Sequence, residues 1–137
     1  MDFTFTEEQV ALRDSINRFL MKEAAPELLR EISETSGGRS RELHAKIAAQ
    51  GITGLSVPEA QGGVGLGDID WTLVTEELGY HAIPDSLVES SYVATALLCN
   101  VQEAGALREQ WLPRVADGTA HISLEHPANP CVADAHL

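Results

Sequence analysis

The sequence predicts an all-α fold, an orthogonal bundle of about six helices, with the start of a β domain at its C-terminal end. Apolar residues recur at spacings of three and four in successive segments, and cap and stop residues separate those segments. The chain of 137 residues has the length of one domain, and its 44% hydrophobic and 22% charged residues are an ordinary globular balance. Past Gly118 the period stops: "TAHISLE" reads as the beginning of a strand, and "HPANPCVADAHL" holds two prolines and no period. The expected organisation is a helical domain over 1–118 and the start of a β domain over 119–137.

The elements follow in order. Thr6 and Gln9 fit a capping box, with Phe5 stapled onto Val10, so the first helix begins at Glu7. Leu12, Ile16, Phe19 and Leu20 share one face of it and leave Arg13, Asp14 and Arg18 outside. Pro26 opens a second helix carrying Leu28, Leu29 and Ile32, which "TSGG" at 35–38 ends. A third runs through Leu43 and Ile47 to Gly51, and Asp68 caps a fourth whose Trp71, Val74 and Leu78 share a face until Gly79 or Pro84. Ser86 caps a fifth, with Leu87, Tyr92, Ala94, Thr95, Leu97 and Leu98, which is apolar nearly all round and so is expected to be the buried helix of the set. A sixth covers Ala104 to Trp111 and bends at Pro113.

Charge and cysteine usage exclude several functions. The net charge is −12 and the nine basic residues are scattered, so no patch for nucleic acid forms. No stretch nears the roughly 18 to 20 apolar residues of a membrane span, and "MDFTFTEEQ" is not a signal peptide, so the expected location is the cytoplasm. Cys99 and Cys131 are two cysteines without metal-ligand spacing, consistent with reduced thiols. His121, His126, Cys131 and His136 lie four or more apart, with Pro127 and Pro130 between some of them, and match no compact zinc pattern. Acidic pairs such as Glu7-Glu8 and Glu76-Glu77 read as solvated helix faces.

The segment "VPEAQGGVGLGDIDW" raises the question of a phosphate cradle. Gly63, Gly65 and Gly67 give G-x-G-x-G, not the G-x-G-x-x-G of a dinucleotide fold, and Val57-Pro58 precedes them where a buried strand is required. No G-x-x-x-x-G-K-[ST] is present. The reading is a turn-rich connector between helices.

Three stretches, "TEEQVALRDSINRFL", "ELHAKIAAQGITGLSVPEAQGGVGLGDIDWTLVTEELGYHAIP" and "ALREQWLPRVADGTAHISLE", carry a resemblance. Within them V-P-E-x-x-G-G-x-G at Val57 to Gly65, Glu-Glu-Leu-Gly at 76–79 and L-P-x-x-x-x-G at Leu112 to Gly118 come in family order. The sequence resembles the N-terminal helical domain of the acyl-CoA dehydrogenase family. The resemblance implies an FAD-dependent oxidation of an acyl-CoA thioester to its trans-2-enoyl product, in fatty-acid or sterol side-chain degradation, a base taking the α-proton and flavin N5 the β-hydride. It also implies that the glycine loop joins two helices, that a β domain and a second helical domain complete the protein, and that homo- or hetero-oligomers form with other acyl-CoA dehydrogenase subunits.

By position, the resemblance makes Ser91, Tyr92 and Thr95 of the fifth helix the wall of the acyl pocket. Ser123 and Glu125 become backbone contacts to flavin or substrate. The family's catalytic glutamate has no counterpart, and Glu76, Glu77 and Glu89 read as solvated carboxylates, so no catalytic residue and no metal ligand is assigned. Where the family carries Thr-Glu-Pro-Gly-Ala-Gly-Ser-Asp, this chain has Leu124 for the threonine, keeps Glu125, and replaces the glycine-rich part with His126 to Ala133. That departure resembles the non-catalytic subunits of heteromeric acyl-CoA dehydrogenases in actinobacterial sterol and lipid catabolism. The alternative function is a helical interaction or assembly module for a dehydrogenase partner.

Overall fold

A computed structural model of the chain describes residues 4–124. Six α-helices account for the regular structure: α1 Glu7–Glu23, α2 Pro26–Glu34, α3 Arg41–Ala49, α4 Asp68–Tyr80, α5 Thr95–Asn100 and α6 Gly105–Ala116. Short 3₁₀ turns at Ile52–Gly54 and Glu59–Gln61 lie between α3 and α4, and a π-helical stretch, Val88–Ala94, runs directly into α5. Among the described residues there is no strand, and no helix is long and apolar enough to cross a membrane. Residues 119–124, where the expected strand begins, carry no regular structure; the rest of the expected β segment lies outside the described residues.

The start of α1 follows its sequence. Thr6 Oγ1 accepts from the Gln9 amide at 3.2 Å while Gln9 Oε1 accepts from the Thr6 amide at 3.0 Å. Ile16 and Leu20 are buried, and Leu12 and Phe19 pack against the same core. That face meets Trp71, Val74 and Leu78 of α4, and two polar bonds fix the pair of helices: Gln9 Nε2 donates to Asp70 Oδ1 at 3.0 Å, and Asn17 Nδ2 donates to Glu77 Oε2 at 2.5 Å. Glu77 is therefore buried, not a solvated member of an acidic pair, and its carboxylate clamps two helices together.

α4 runs one residue past Gly79. Ala82 then takes a left-handed φ of 51°, Ile83 donates back to the Leu78 carbonyl at 3.0 Å, and a Schellman-type turn ends the helix without a glycine. Two further expectations are corrected. α6 continues through Pro113 to Ala116, because burial of Leu112 and Val115 on either side outweighs the one backbone bond that proline forfeits. The fifth helix is not buried all round: Val93, Leu97 and Val101 are 39%, 49% and 51% exposed, since the described residues cover only its inner side. α4 is the more deeply buried helix.

The glycine loop is a fold-back. Every amide from Gln61 to Leu66 donates to a carbonyl of residues 54–59, including Val64 to Gly54 at 3.0 Å and Gly65 to Val57 at 2.9 Å. Gly67 donates to Asp70 Oδ2 at 3.1 Å. No amide from Gln61 to Gly67, the glycine-rich part, is left to cradle a phosphate, which supports the connector reading. Gly63 lies so close to Val57 that any Cβ there would collide with its backbone carbonyl. Beyond the loop, Val57 packs with Leu112 and Val115 in a second small core, and Thr53 Oγ1 donates to the Ala116 carbonyl at 2.8 Å.

These packing facts make opposite predictions for two alanine changes. Gly63→Ala should lower unfolding stability by about 1–3 kcal/mol, as overpacking against rigid backbone does. Gly37→Ala, with open space and no positive φ, should shift it by less than about 0.5 kcal/mol. Urea titrations of both variants check the pair, and equal effects would contradict the close approach. Ala82→Gly should stabilise by about 1 kcal/mol by relieving the left-handed alanine.

Candidate functional site

The expected pocket wall lies on the segment 87–100, and its local sequence explains its shape. Ser, Thr and β-branched residues crowd "VESSYVAT", and Thr95 Oγ1 donates to the Ser90 carbonyl five residues back at 2.9 Å. Such a side-chain bond suits the widened π ladder and holds the bend between the π turns and α5. Ser91 and Thr95 are both buried, so they shape the segment from within. Tyr92 is half-buried, its ring stacks on Trp71 with centroids 5.1 Å apart, and its hydroxyl donates to Asp68 Oδ1 at 2.7 Å. The hydrogen bond to Asp68, then burial, raises the phenol above its ordinary range, so Tyr92 acts as a donor rather than as a base.

A second face forms where the chain leaves α6. Leu98, Leu107, Trp111, His121, Ile122 and Ser123 line a mostly apolar cavity of about 320 Å³. Ser123, expected at the flavin, is exposed at this cavity, while Glu125 lies outside the described residues. Ser90, which the sequence reading left without a role, accepts from the Ile122 amide at 2.8 Å and so ties the departing chain to the π segment. Its signal was faint, because a buried serine on an apolar helix has no spacing partner in sequence. Cys99 is pushed up by burial and is a poor nucleophile.

No carboxylate in this region is placed as a base. Glu76 and Glu89 are exposed, and Glu77 is occupied by Asn17 with His81 Nε2 3.9 Å away. The described residues also do not fit a flavin dinucleotide by themselves. The amides of Gln61 to Gly67 are all used internally, and the cavity offers apolar walls with one serine hydroxyl and one imidazole, not a gathered set of donors for a pyrophosphate.

Residues 6–119 match the family model "Acyl-CoA dehydrogenase, N-terminal domain". The chain belongs to the acyl-CoA dehydrogenase family. Among relatives, (2S)-methylsuccinyl-CoA dehydrogenase of Cereibacter sphaeroides is 31% identical over an alignment 120 residues long that covers 82% of this chain and 20% of that protein. Acyl-CoA dehydrogenase IpdE2 of Mycobacterium tuberculosis is 30% identical over 129 residues, 93% of this chain and 41% of that one. In structure the chain resembles the ChsE4-ChsE5 complex from Mycobacterium tuberculosis with a TM-score of 0.81 and 27% identity, over 90% of this chain and 34% of that chain. The chain therefore spans between a fifth and about two-fifths of these relatives' lengths. The match supports the all-α class of the described residues.

Removing the Ser90 hydroxyl tests the tie to the departing chain. Ser90→Ala should speed hydrogen exchange of the Ile122 amide about fivefold, as loss of a bond worth about 1 kcal/mol requires, and leave amides of α1 unchanged. Equal rates at Ile122 in both proteins would mean that the bond does not hold the chain there.

Proposed function

We propose that this chain forms the N-terminal helical part of an FAD-dependent acyl-CoA dehydrogenase that converts acyl-CoA to trans-2-enoyl-CoA in fatty-acid or sterol side-chain degradation in the cytoplasm. In this reading residues 1–118 are the helical domain and 119–137 begin the β domain. The observation that carries it is the pairing of an open apolar face on α5 with a cavity of about 320 Å³ at the point where the chain leaves α6. An acyl chain needs an apolar wall, and a following domain needs a surface to pack on.

Tyr92 is the residue of the expected wall that reaches outward, and Ser91 and Thr95 set its position from behind. Its ring presents apolar area while Asp68 occupies the hydroxyl, which suits contact with an alkyl or sterol side chain. Ser123 and Glu125 remain the proposed contacts to flavin or substrate, through their backbone. Because the described residues do not fit the flavin alone, no step of flavin chemistry is assigned to them. A hetero-oligomer is the proposed assembly: Leu124 replaces a hydrogen-bonding threonine of the family pattern, and the ChsE4-ChsE5 neighbour is itself a complex of two proteins.

An assembly module without chemistry is the second reading, favoured by that same leucine. The natural gene product, purified alone and with its co-purifying subunits, separates the two. FAD absorbance and acyl-CoA-dependent dye reduction in the complex support the enzyme, and their absence supports the module. In an active complex Tyr92→Ala should raise kcat/KM for bulkier acyl-CoAs relative to short ones by about tenfold, the scale of one or two methylenes in an apolar pocket. An unchanged preference across chain lengths would remove Tyr92 from the wall.

A further inference from the structure

Beside the apolar cavity, whose wall His121 shares, three residues distant in sequence converge. His44 is on α3, Asp85 follows α4, and His121 lies past α6. One ligand atom from each lies within 4.8 Å of the others. His44 Nδ1 is 2.8 Å from Asp85 Oδ2, and the imidazole rings of His44 and His121 stand 4.3 Å apart, centroid to centroid. His44 Nε2 faces the Gly118 carbonyl at 3.2 Å.

Two details distinguish this cluster from an ordinary ion pair. The Asp85 side chain is 8% exposed, and while Oδ2 meets His44, Oδ1 is buried with no hydrogen-bond partner. A buried carboxylate oxygen left unpaired costs about 1–3 kcal/mol and calls for a missing partner. His44, in turn, is oriented as metal-ligating imidazoles are: Nε2 donates to the Gly118 carbonyl and aims Nδ1 at Asp85, and the Nδ1 proton now donated to Oδ2 is the one that a bound cation would replace.

We propose that His44, Asp85 and His121 form a binding site for a divalent transition-metal cation of the zinc class, fastening the chain that leaves α6 to α3 and to the turn after α4. Two imidazoles and one carboxylate are a donor set that zinc accepts, with water in the fourth position. Bonds of about 2.1 Å in a tetrahedron separate ligand atoms by about 3.4 Å, so the His44–Asp85 pair must open slightly and His121 must close in. His121 is exposed, with its ring beside that of His44 and a long contact to Ser86 Oγ at 3.5 Å, so it has room to rotate toward the cluster. Arg39, which donates to Ser86 Oγ at 3.2 Å, opposes a cation there, and Asp85 supplies the compensating charge.

Gly118 explains why the chain passes here. Its φ is +74° and any Cβ would collide with the Ala48 side chain, so the backbone runs directly over α3 and delivers His121 beside His44. The spacing of His121 to the other histidines and to the cysteine of the C-terminal stretch carried no metal pattern, because its partners come from two other elements.

The test is a titration of the natural full-length protein, stripped with chelator, with Zn²⁺ alone and with Co²⁺ as a spectroscopic reporter. The expected result is saturable binding of one ion per chain that persists when His126→Ala, Cys131→Ser and His136→Ala are combined. His121→Ala and Asp85→Asn should each weaken it by about 10- to 100-fold. His121→Ala, at an exposed position, keeps the helical fold by circular dichroism, so its loss of binding reads the site alone. No saturable binding, binding abolished by the triple variant, or binding indifferent to His121→Ala and Asp85→Asn would each overturn the proposal and leave an Asp85–His44 ion pair.

Discussion

Gly63 lying against the carbonyl of Val57 is the constraint on which the second half of the molecule depends. The approach lets residues 61–66 return their amides to carbonyls of residues 54–59, so a long connector costs no unsatisfied backbone. It also holds Val57 as the floor on which Leu112 and Val115 pack. Through that contact the loop positions α6, and α6 positions both the apolar cavity and the departing chain. A glycine-rich segment that resembles a ligand cradle thus turns out to serve itself, its donors consumed before any anion could reach them.

The pattern-bearing elements were legible in the sequence because their signals are local. The Thr6–Gln9 box, the Leu12 to Leu20 face and the Trp71, Val74 and Leu78 face each depend on residues within a few turns. Glu77 was misread for the converse reason: its partner Asn17 is on another helix, and nothing near Glu76-Glu77 in sequence marks one of the pair as buried. The sixth helix was expected to cover residues only as far as Trp111, since propensity is local, while the burial of Leu112 and Val115 that accompanies its run to Ala116 is tertiary.

The candidate site was legible only in outline. Family motifs pointed to the segment 87–100, yet which of Ser91, Tyr92 and Thr95 faces outward depends on π turns that add a residue per turn and rotate the face. A 3.6-residue wheel places these side chains wrongly by design, because the Thr95 bond to the Ser90 carbonyl selects a different ladder. The cluster of His44, Asp85 and His121 was invisible altogether, since no spacing rule spans three elements.

The charge distribution bears on what the apolar helix is for. In a chain with net charge −12, the stretch from Leu87 to Val101 contains a single charged residue, Glu89. By contrast α3 carries Lys46 held between Glu23 at 3.1 Å and Glu42 at 3.0 Å, a solvated face stabilised by its own pairs. If the fifth helix were meant for water, its outward positions would be charged like those of α3; they are Val93, Leu97 and Val101 instead. Sparse charge together with half-exposed branched side chains is the composition of an interface core, where desolvating an ion would cost more than the contact returns. The acidity of the remaining surface keeps such a face from meeting its own copies indiscriminately, by repulsion over roughly a Debye length of about 8 Å. Apolar area on one side and like charge on the others thus favour a face that packs against a surface other than that of its own copy.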